Sequence, residues 1–246
     1  DGWKYKPYYS DDEFDRKDIL SFLMNYQDLD KESYNPEIED TVSIHYSNFE
    51  DGDLNINKSF GNKDILIIGS GESVDKYSKD IELFITDFKP LVIQLNKGGV
   101  ISENLVDYNL FSHPQTIKYE NENIKNSTGS IIMPPNSISF ELKNKNVKYY
   151  GLKVEKDIFE SNTTNCIAPN SLVLSYALAI SGASPGSNIY MAGIDGYNNN
   201  PNKNSEIAST LELYKNKYQE KNLISITPTS FSINQISPHK LIRDKI

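Results

Sequence analysis

Four apolar residues, Ile65-Leu66-Ile67-Ile68, run without interruption into Gly69-Ser70-Gly71 and then into a polar, helix-compatible segment. A short stretch apolar on both faces, β-branched at three positions, predicts a strand buried on both sides, as in a parallel sheet covered by helices. Glycines at its carboxyl end let the chain turn sharply and bring backbone N–H groups near a ligand. The helix that follows points its positive end at the same place. A crevice at the strand ends of an open α/β sheet is where ligands bind. The same glycines serve equally well in a plain strand-to-helix turn, and the local pattern leaves the two readings level.

The rest of the chain repeats this punctuation. A helix is predicted from Gly71 to about Phe88, stopped by Pro90, and Leu91 to Asn96 reads as a second strand followed by Gly98-Gly99. Tyr108 to Ser112 ends at His113-Pro114, Ile131 to Met133 ends at Pro134-Pro135, and Val147 to Val154 alternates weakly as a fifth strand. Residues 155–169 read as a polar loop leading to Asn170-Ser171, which caps an apolar, alanine-rich helix closing at Gly182. Ile189 to Ile194 is a strand with Asp195-Gly196-Tyr197 at its carboxyl end. Asn198 to Asn204 reads as a flexible loop, 205–219 as a helix and Leu223 to Ile226 as the last strand. Strands alternating with helices predict an α/β fold, a doubly wound, mostly parallel, Rossmann-like sheet.

Charge divides the chain differently. Residues 1–62 hold 15 Asp/Glu against 6 Lys/Arg, whereas residues 63–246 hold 19 of each. Ser10-Asp11-Asp12-Glu13 has the capping-box form and opens a predicted helix over 11–27, preceded by the aromatic cluster Trp3, Tyr5, Tyr8 and Tyr9. The expected organisation is an acidic helical arm or linker over 1–62 and a Rossmann-like nucleotide-binding domain over 63–246. No basic stripe suits a nucleic-acid backbone. No apolar run of 18 residues predicts a transmembrane helix. A single cysteine, Cys166, excludes an internal disulfide and fits the reducing cytoplasm. His45, His113 and His239 are too scattered for metal-ligand spacing, so no metal is expected. The opening Asp-Gly-Trp-Lys, without an initiator Met or a signal-peptide pattern, reads as a mature form or as an excised part of a longer chain.

Elimination narrows the ligand. A dinucleotide fingerprint needs a third glycine where Val74 stands and an acid ending the second strand, which here ends Gln94-Leu95-Asn96. No Gly-Lys-Ser/Thr follows a glycine loop, and neither Ser73 nor Ser171 lies in a Gly-x-Ser-x-Gly elbow. Strand ends instead carry Ser70, Ser73, Asn96, His113, Asn170 and Ser171, joined by Asp195 and Tyr197. Largely uncharged donors of this kind suit a nucleotide phosphate held without metal. Each has a plainer alternative: a turn or helix cap for Asn96 and Asn170, an Asx turn for Asp195, and an ordinary strand-end residue for His113.

Ile-Ile-Gly-Ser-Gly-Glu-Ser at 67–73, Leu95-Asn96, Asn170-Ser171, Gly193-Ile194-Asp195-Gly196-Tyr197 and Ile226-Thr227-Pro228 together resemble the bacterial sialyltransferases of the Campylobacter type. The resemblance implies a metal-independent glycosyltransferase with a CMP-sugar donor, a glycan acceptor and no cofactor, working in surface-polysaccharide biosynthesis. It further implies that Gly69, Ser70, Gly71 and Ser73 hold the nucleotide, that Asn96 lies by the donor phosphate and that Tyr197 neutralises the departing phosphate. The family's general-base histidine lies in a lid, here Asn198 to Asn204, which contains none. His113 is then the candidate for a relocated base, with a pKa near neutrality. The segment Trp3 to Ser10 also resembles the region after the barrel in HMG-CoA-lyase-like (hydroxy-oxovalerate-type) aldolases. That implies an upstream aldolase domain, or a homo-oligomer, as partner, and the competing reading of a non-catalytic binding or assembly module. A hydroxymethylpterin pyrophosphokinase has a similar glycine turn but needs acids for magnesium, which are scarce at these strand ends.

Overall fold

The computed structural model describes residues 42–245 except 44, 49, 97–98, 120–123, 125–128 and 136–145. The helix expected over 11–27 and the aromatic cluster before it lie outside the described residues. In chain order come α1 (Ile56–Phe60), β1 (Ile65–Ile68), α2 (Glu72–Lys76), α3 (Ser78–Phe88), β2 (Leu91–Leu95), β3 (Tyr108–Leu110), α4 (Pro114–Tyr119), β4 (Ser130–Met133), β5 (Val147–Tyr149) and β6 (Gly151–Val154). There follow β7 (Glu160–Ser161), β8 (Asn165–Ala168), α5 (Val173–Ala183), β9 (Asn188–Ala192), α6 (Pro201–Lys217), β10 (Asn222–Ser225), β11 (Asn234–Gln235) and α7 (Pro238–Lys245).

Eight strands form one sheet in the order β11-β10-β9-β1-β2-β3-β4-β5, every neighbouring pair parallel. This is the doubly wound α/β architecture read from the alternation of elements. β1 is central, with Ile65 opposite Leu91 of β2 on one side and Ile189 of β9 on the other. The chain builds β2 to β5 outward in one direction and then returns to add β9 to β11 in the other. Strand order therefore reverses between β1 and β9, the position at which open parallel sheets form a ligand crevice.

All four β1 side chains are fully buried, and they alternate between two cores. Ile65 and Ile67 join a cluster with Leu174, Leu178, Ile207 and Leu211 of α5 and α6, while Leu66 and Ile68 join Val74, Ile81, Phe84 and Ile85 of α2 and α3. Each such side chain taken from water contributes about 1.5–3 kcal/mol, which is why a run apolar on both faces belongs between helical layers. α5 is buried almost all round because it lies between the large sheet and a smaller one, β6-β8-β7. Its small residues permit close approach: a Cβ on Gly182 would stand 2.6 Å from the Tyr218 ring.

Several elements depart from expectation. The strand expected over 147–154 divides at Tyr150, β5 pairing with β4 and β6 pairing with β8. Tyr150 is fully buried, and its hydroxyl donates to Asn162 O and Asn165 O at 2.7 and 2.9 Å, turning the chain between sheets. The polar stretch 155–169 is not a loop: it holds β7 and β8, whose turn is closed by Asn162 N–H to Asn165 O at 2.8 Å. The helix expected over 71–88 breaks at Tyr77, and α6 begins at Pro201 instead of 205 because Asn200 Oδ1 accepts from Lys203 N–H at 3.0 Å. β11 and α7 extend the fold beyond the expected last strand. Val42, Tyr46, Leu54, Ile56 and Phe60 belong to the same core as β1, so the core reaches back across residue 62. Among the described residues no helix is long and apolar enough to cross a membrane.

Candidate functional site

Loops at the carboxyl ends of β1, β2, β3 and β9, with the first turn of α2 for Ser73, carry every residue singled out from the sequence except Asn170 and Ser171, which precede α5. The glycine turn after β1 is stitched to the loop after β9. Gly69 N–H donates to Ala192 O at 2.8 Å and Gly71 N–H to Gly193 O at 2.9 Å. Ser73 N–H donates to Asp195 Oδ2 at 2.8 Å, and Ser73 Oγ to Asp195 Oδ1 at 2.5 Å. Ser73 Oγ also lies 2.9 Å from Thr227 Oγ1, which accepts from Gly193 N–H at 3.0 Å. A Cβ on Gly71 would stand 2.5 Å from Asp195 Cγ, so glycine is required here for a close protein–protein approach.

These contacts decide between readings that were level in the sequence. The amides of Gly69, Gly71 and Ser73 serve the fold, and the carboxylate that complements the positive end of α2 is the protein's own Asp195. α2 is moreover only five residues long. Asp195 and Ser73 thus form a part-buried clasp joining β1, β9 and β10, and the glycine turn is a packing device. Of that turn, Ser70 alone stands exposed at the tip.

Asn170 is likewise committed. Its Oδ1 accepts from Leu172 N–H at 3.2 Å and from Ser175 Oγ, and its Nδ2 donates to Thr210 Oγ1 at 2.8 Å, tying α5 to α6. Ser171 is buried and its carbonyl accepts from Ser112 Oγ at 3.1 Å, fastening this loop beside the end of β3. Asn96 has the left-handed conformation (φ 58°) at the end of β2, a role asparagine tolerates, and its N–H donates to Leu110 O at 2.8 Å.

A different group gathers on the same rim. Tyr197, partly exposed after β9, is held by reciprocal hydrogen bonds with Asn204: its N–H to Asn204 Oδ1 at 2.7 Å and Asn204 Nδ2 to its carbonyl at 2.6 Å. The Lys203 ammonium lies 4.5 Å over the Tyr197 ring centroid. No carboxylate pairs with Lys203 among the described residues. His113 lies just past the end of β3. It keeps part of its surface open, yet burial and, secondly, the Lys203 charge lower its pKa to about 4. The expectation of a near-neutral base is therefore corrected: at pH 7 His113 is a neutral imidazole with little basicity. Lys203 lies in an Asn/Pro stretch that reads from sequence as a loop. Asn200-Pro201, a cap followed by proline at the first helical position, is the sequence signal that places it in the first turn of α6.

A cavity of about 420 Å³ lies elsewhere, at the amino end of β10, lined by Lys215, Gln219, Lys221, Leu223 and Ile233 among others. Its Lys221 already donates to Ser184 O and Gly186 O. Among the described residues no group of three or more His, Cys, Asp or Glu gathers that could hold a metal ion. Comparisons with protein-family models, curated proteins and solved structures each return no match. Architecture and the chemistry of this rim therefore carry the functional reading.

Proposed function

We propose that this domain binds a nucleotide sugar at the carboxyl rim beside the β1/β9 reversal, as a sialyltransferase-like module, with the ligand phosphate seated on Lys203 and Tyr197. The observation that supports this most is Lys203 itself: a lysine poised over an aromatic ring, without a carboxylate partner among the described residues, at the rim where parallel sheets take ligands. An aromatic face steadies the ammonium without neutralising it, so its attraction for an incoming phosphate is retained. Exposed Ser70 and the Tyr197 phenol supply the uncharged donors around it.

Binding is favoured over transfer with His113 as the base. A group titrating at about 4 is protonated only about 0.1% of the time at pH 7 and draws a proton from an acceptor hydroxyl weakly. A transferase version of the reading keeps Lys203 and Tyr197 to neutralise the departing phosphate and takes its base from another group.

Calorimetric titration with CMP, a CMP-sugar and, as controls, UDP- and GDP-sugars tests the assignment. Lys203→Met is expected to weaken CMP binding by about 10- to 100-fold, the size of one hydrogen bond to a charged group, and to flatten its salt dependence. No heat with any cytidine nucleotide overturns the cytidine assignment, and unchanged affinity in Lys203→Met overturns the site.

A further inference from the structure

We infer that the cavity at the amino end of β10 is a second ligand site, suited to a small organic anion with an apolar body. It lies at the opposite end of the parallel sheet from the carboxyl rim and stands independently of Lys203. The cavity exists because the sheet edge is incomplete. β11 runs beside only Ile224 and Ser225 of β10, and just ahead of β11 the chain turns, with Ile233 N–H donating to Phe231 O at 2.9 Å. The edge at Leu223 therefore has no strand outside it. A space of about 420 Å³ opens there, bounded by β10, the end of α6 and residues 233–234. That volume is of the size that small-molecule sites have.

Its lining divides by chemistry. Leu223 is buried and Ile233 packs against the same core, which gives an apolar floor for a hydrocarbon body. Around it stand Lys215, Lys221 and the amides of Asn222 and Asn234, and no lining residue is acidic. Both ammonium groups rest on carbonyl oxygens. Lys215 Nζ donates to Ser232 O at 3.2 Å, and Lys221 Nζ donates to Ser184 O and, at 2.6 Å, to Gly186 O. A carbonyl holds a lysine in place without cancelling its charge. Glu220 and Asp64 act on Lys221 through space, yet among the described residues neither forms an ion pair with it. The Asp64 carboxylate is taken by Asn188, whose N–H and Nδ2 donate to it at 3.0 and 2.9 Å. Lys215 also sits in the last turn of α6, where a cation complements the negative helix end. That role accounts for a lysine but not for the apolar recess beside it. Two positive groups over an apolar floor select a carboxylate or phosphate head carried on a hydrocarbon body.

Backbone-amide NMR of the full chain tests the site with four probes: hexanoate, hexyl phosphate, neutral hexanamide and inorganic phosphate. Hexanoate and hexyl phosphate should shift the amides of Asn222, Leu223, Ile233 and Asn234 with dissociation constants of about 1–10 mM, as expected of probes this small. Hexanamide lacks the charge and inorganic phosphate lacks the apolar body, so each should bind about tenfold more weakly or not at all. Lys215 is exposed, so its variants should fold. Lys215→Met should weaken both anions about tenfold, and added salt should do the same. Lys215→Arg keeps the cation and should stay within about twofold of wild type. The shifts should persist in Lys203→Met, which separates this site from the carboxyl rim. Tighter binding of one anion than of the other supports the site and identifies its head group. No shift of these four amides with either anion overturns the inference. So does an equal response to hexanamide, an unchanged affinity in Lys215→Met, or loss of the shifts in Lys203→Met.

Discussion

Replacing Asp195 separates a clasp from a catalyst. Its carboxylate accepts from both Ser73 N–H (2.8 Å) and Ser73 Oγ (2.5 Å), and Ser73 is 7% exposed. Asp195→Ala leaves both donors in a nearly closed space and removes the acid from the start of α2. A hydrogen bond to a charged group contributes about 1.5–3 kcal/mol, and an acid at a helix N-terminus about 0.3–1 kcal/mol. The two Ser73 bonds share one partner and are not additive, so a total cost of about 2–4 kcal/mol is expected. Against a domain stability of about 5–15 kcal/mol that is a large loss. With a urea slope of about 2 kcal/mol/M, the unfolding midpoint falls by about 1–2 M. Asp195→Asn keeps one acceptor oxygen and should fall between wild type and alanine. Urea unfolding followed by circular dichroism, with CMP calorimetry on the folded variants, is the assay. A midpoint within 0.2 M, about 0.4 kcal/mol at that slope, combined with lost ligand binding would refute the clasp and return Asp195 to the ligand.

Other expectations follow from the same contacts. Asn170→Ala frees buried Ser175 and Thr210, costing about 1–3 kcal/mol in urea unfolding; CMP affinity should stay within twofold, and a larger loss would restore Asn170 to the binding site. Cys166 is fully buried, and burial pushes its thiol well above the usual range, so a thiol reagent should react only after unfolding; prompt reaction of the native protein would contradict the core described. His113 titrates at about 4 folded and near 6.5 unfolded, so between these values the unfolded chain binds more protons and stability climbs with pH. That contribution is complete above about 6.5 and is lost as pH falls through 4, and His113→Gln should flatten the climb in urea midpoints measured from pH 4 to 7. An unaltered profile would place the titration on another group.

Residues 65–68 announce by composition alone a strand buried on both faces, because four adjacent apolar side chains point alternately in opposite directions and each needs a helical layer. Punctuation by Gly and Pro then marked most of the strands and the winding of the sheet. These are local signals, legible at separations of a few residues. What the strand ends do was not local. Ser73 meets Asp195 across 122 residues, so only the assembled sheet decides that the glycine-turn amides face a protein carbonyl or carboxylate instead of a ligand phosphate. Tyr150 has the same sequence character as its neighbours; its burial between two sheets, not its type, divides β5 from β6. Lys203 is one of 25 basic residues until α6 sets it over Tyr197 and against His113. Hydrophobic period is written residue by residue, whereas electrostatic environment depends on which distant groups share a few ångströms, and that is settled only when the chain has folded.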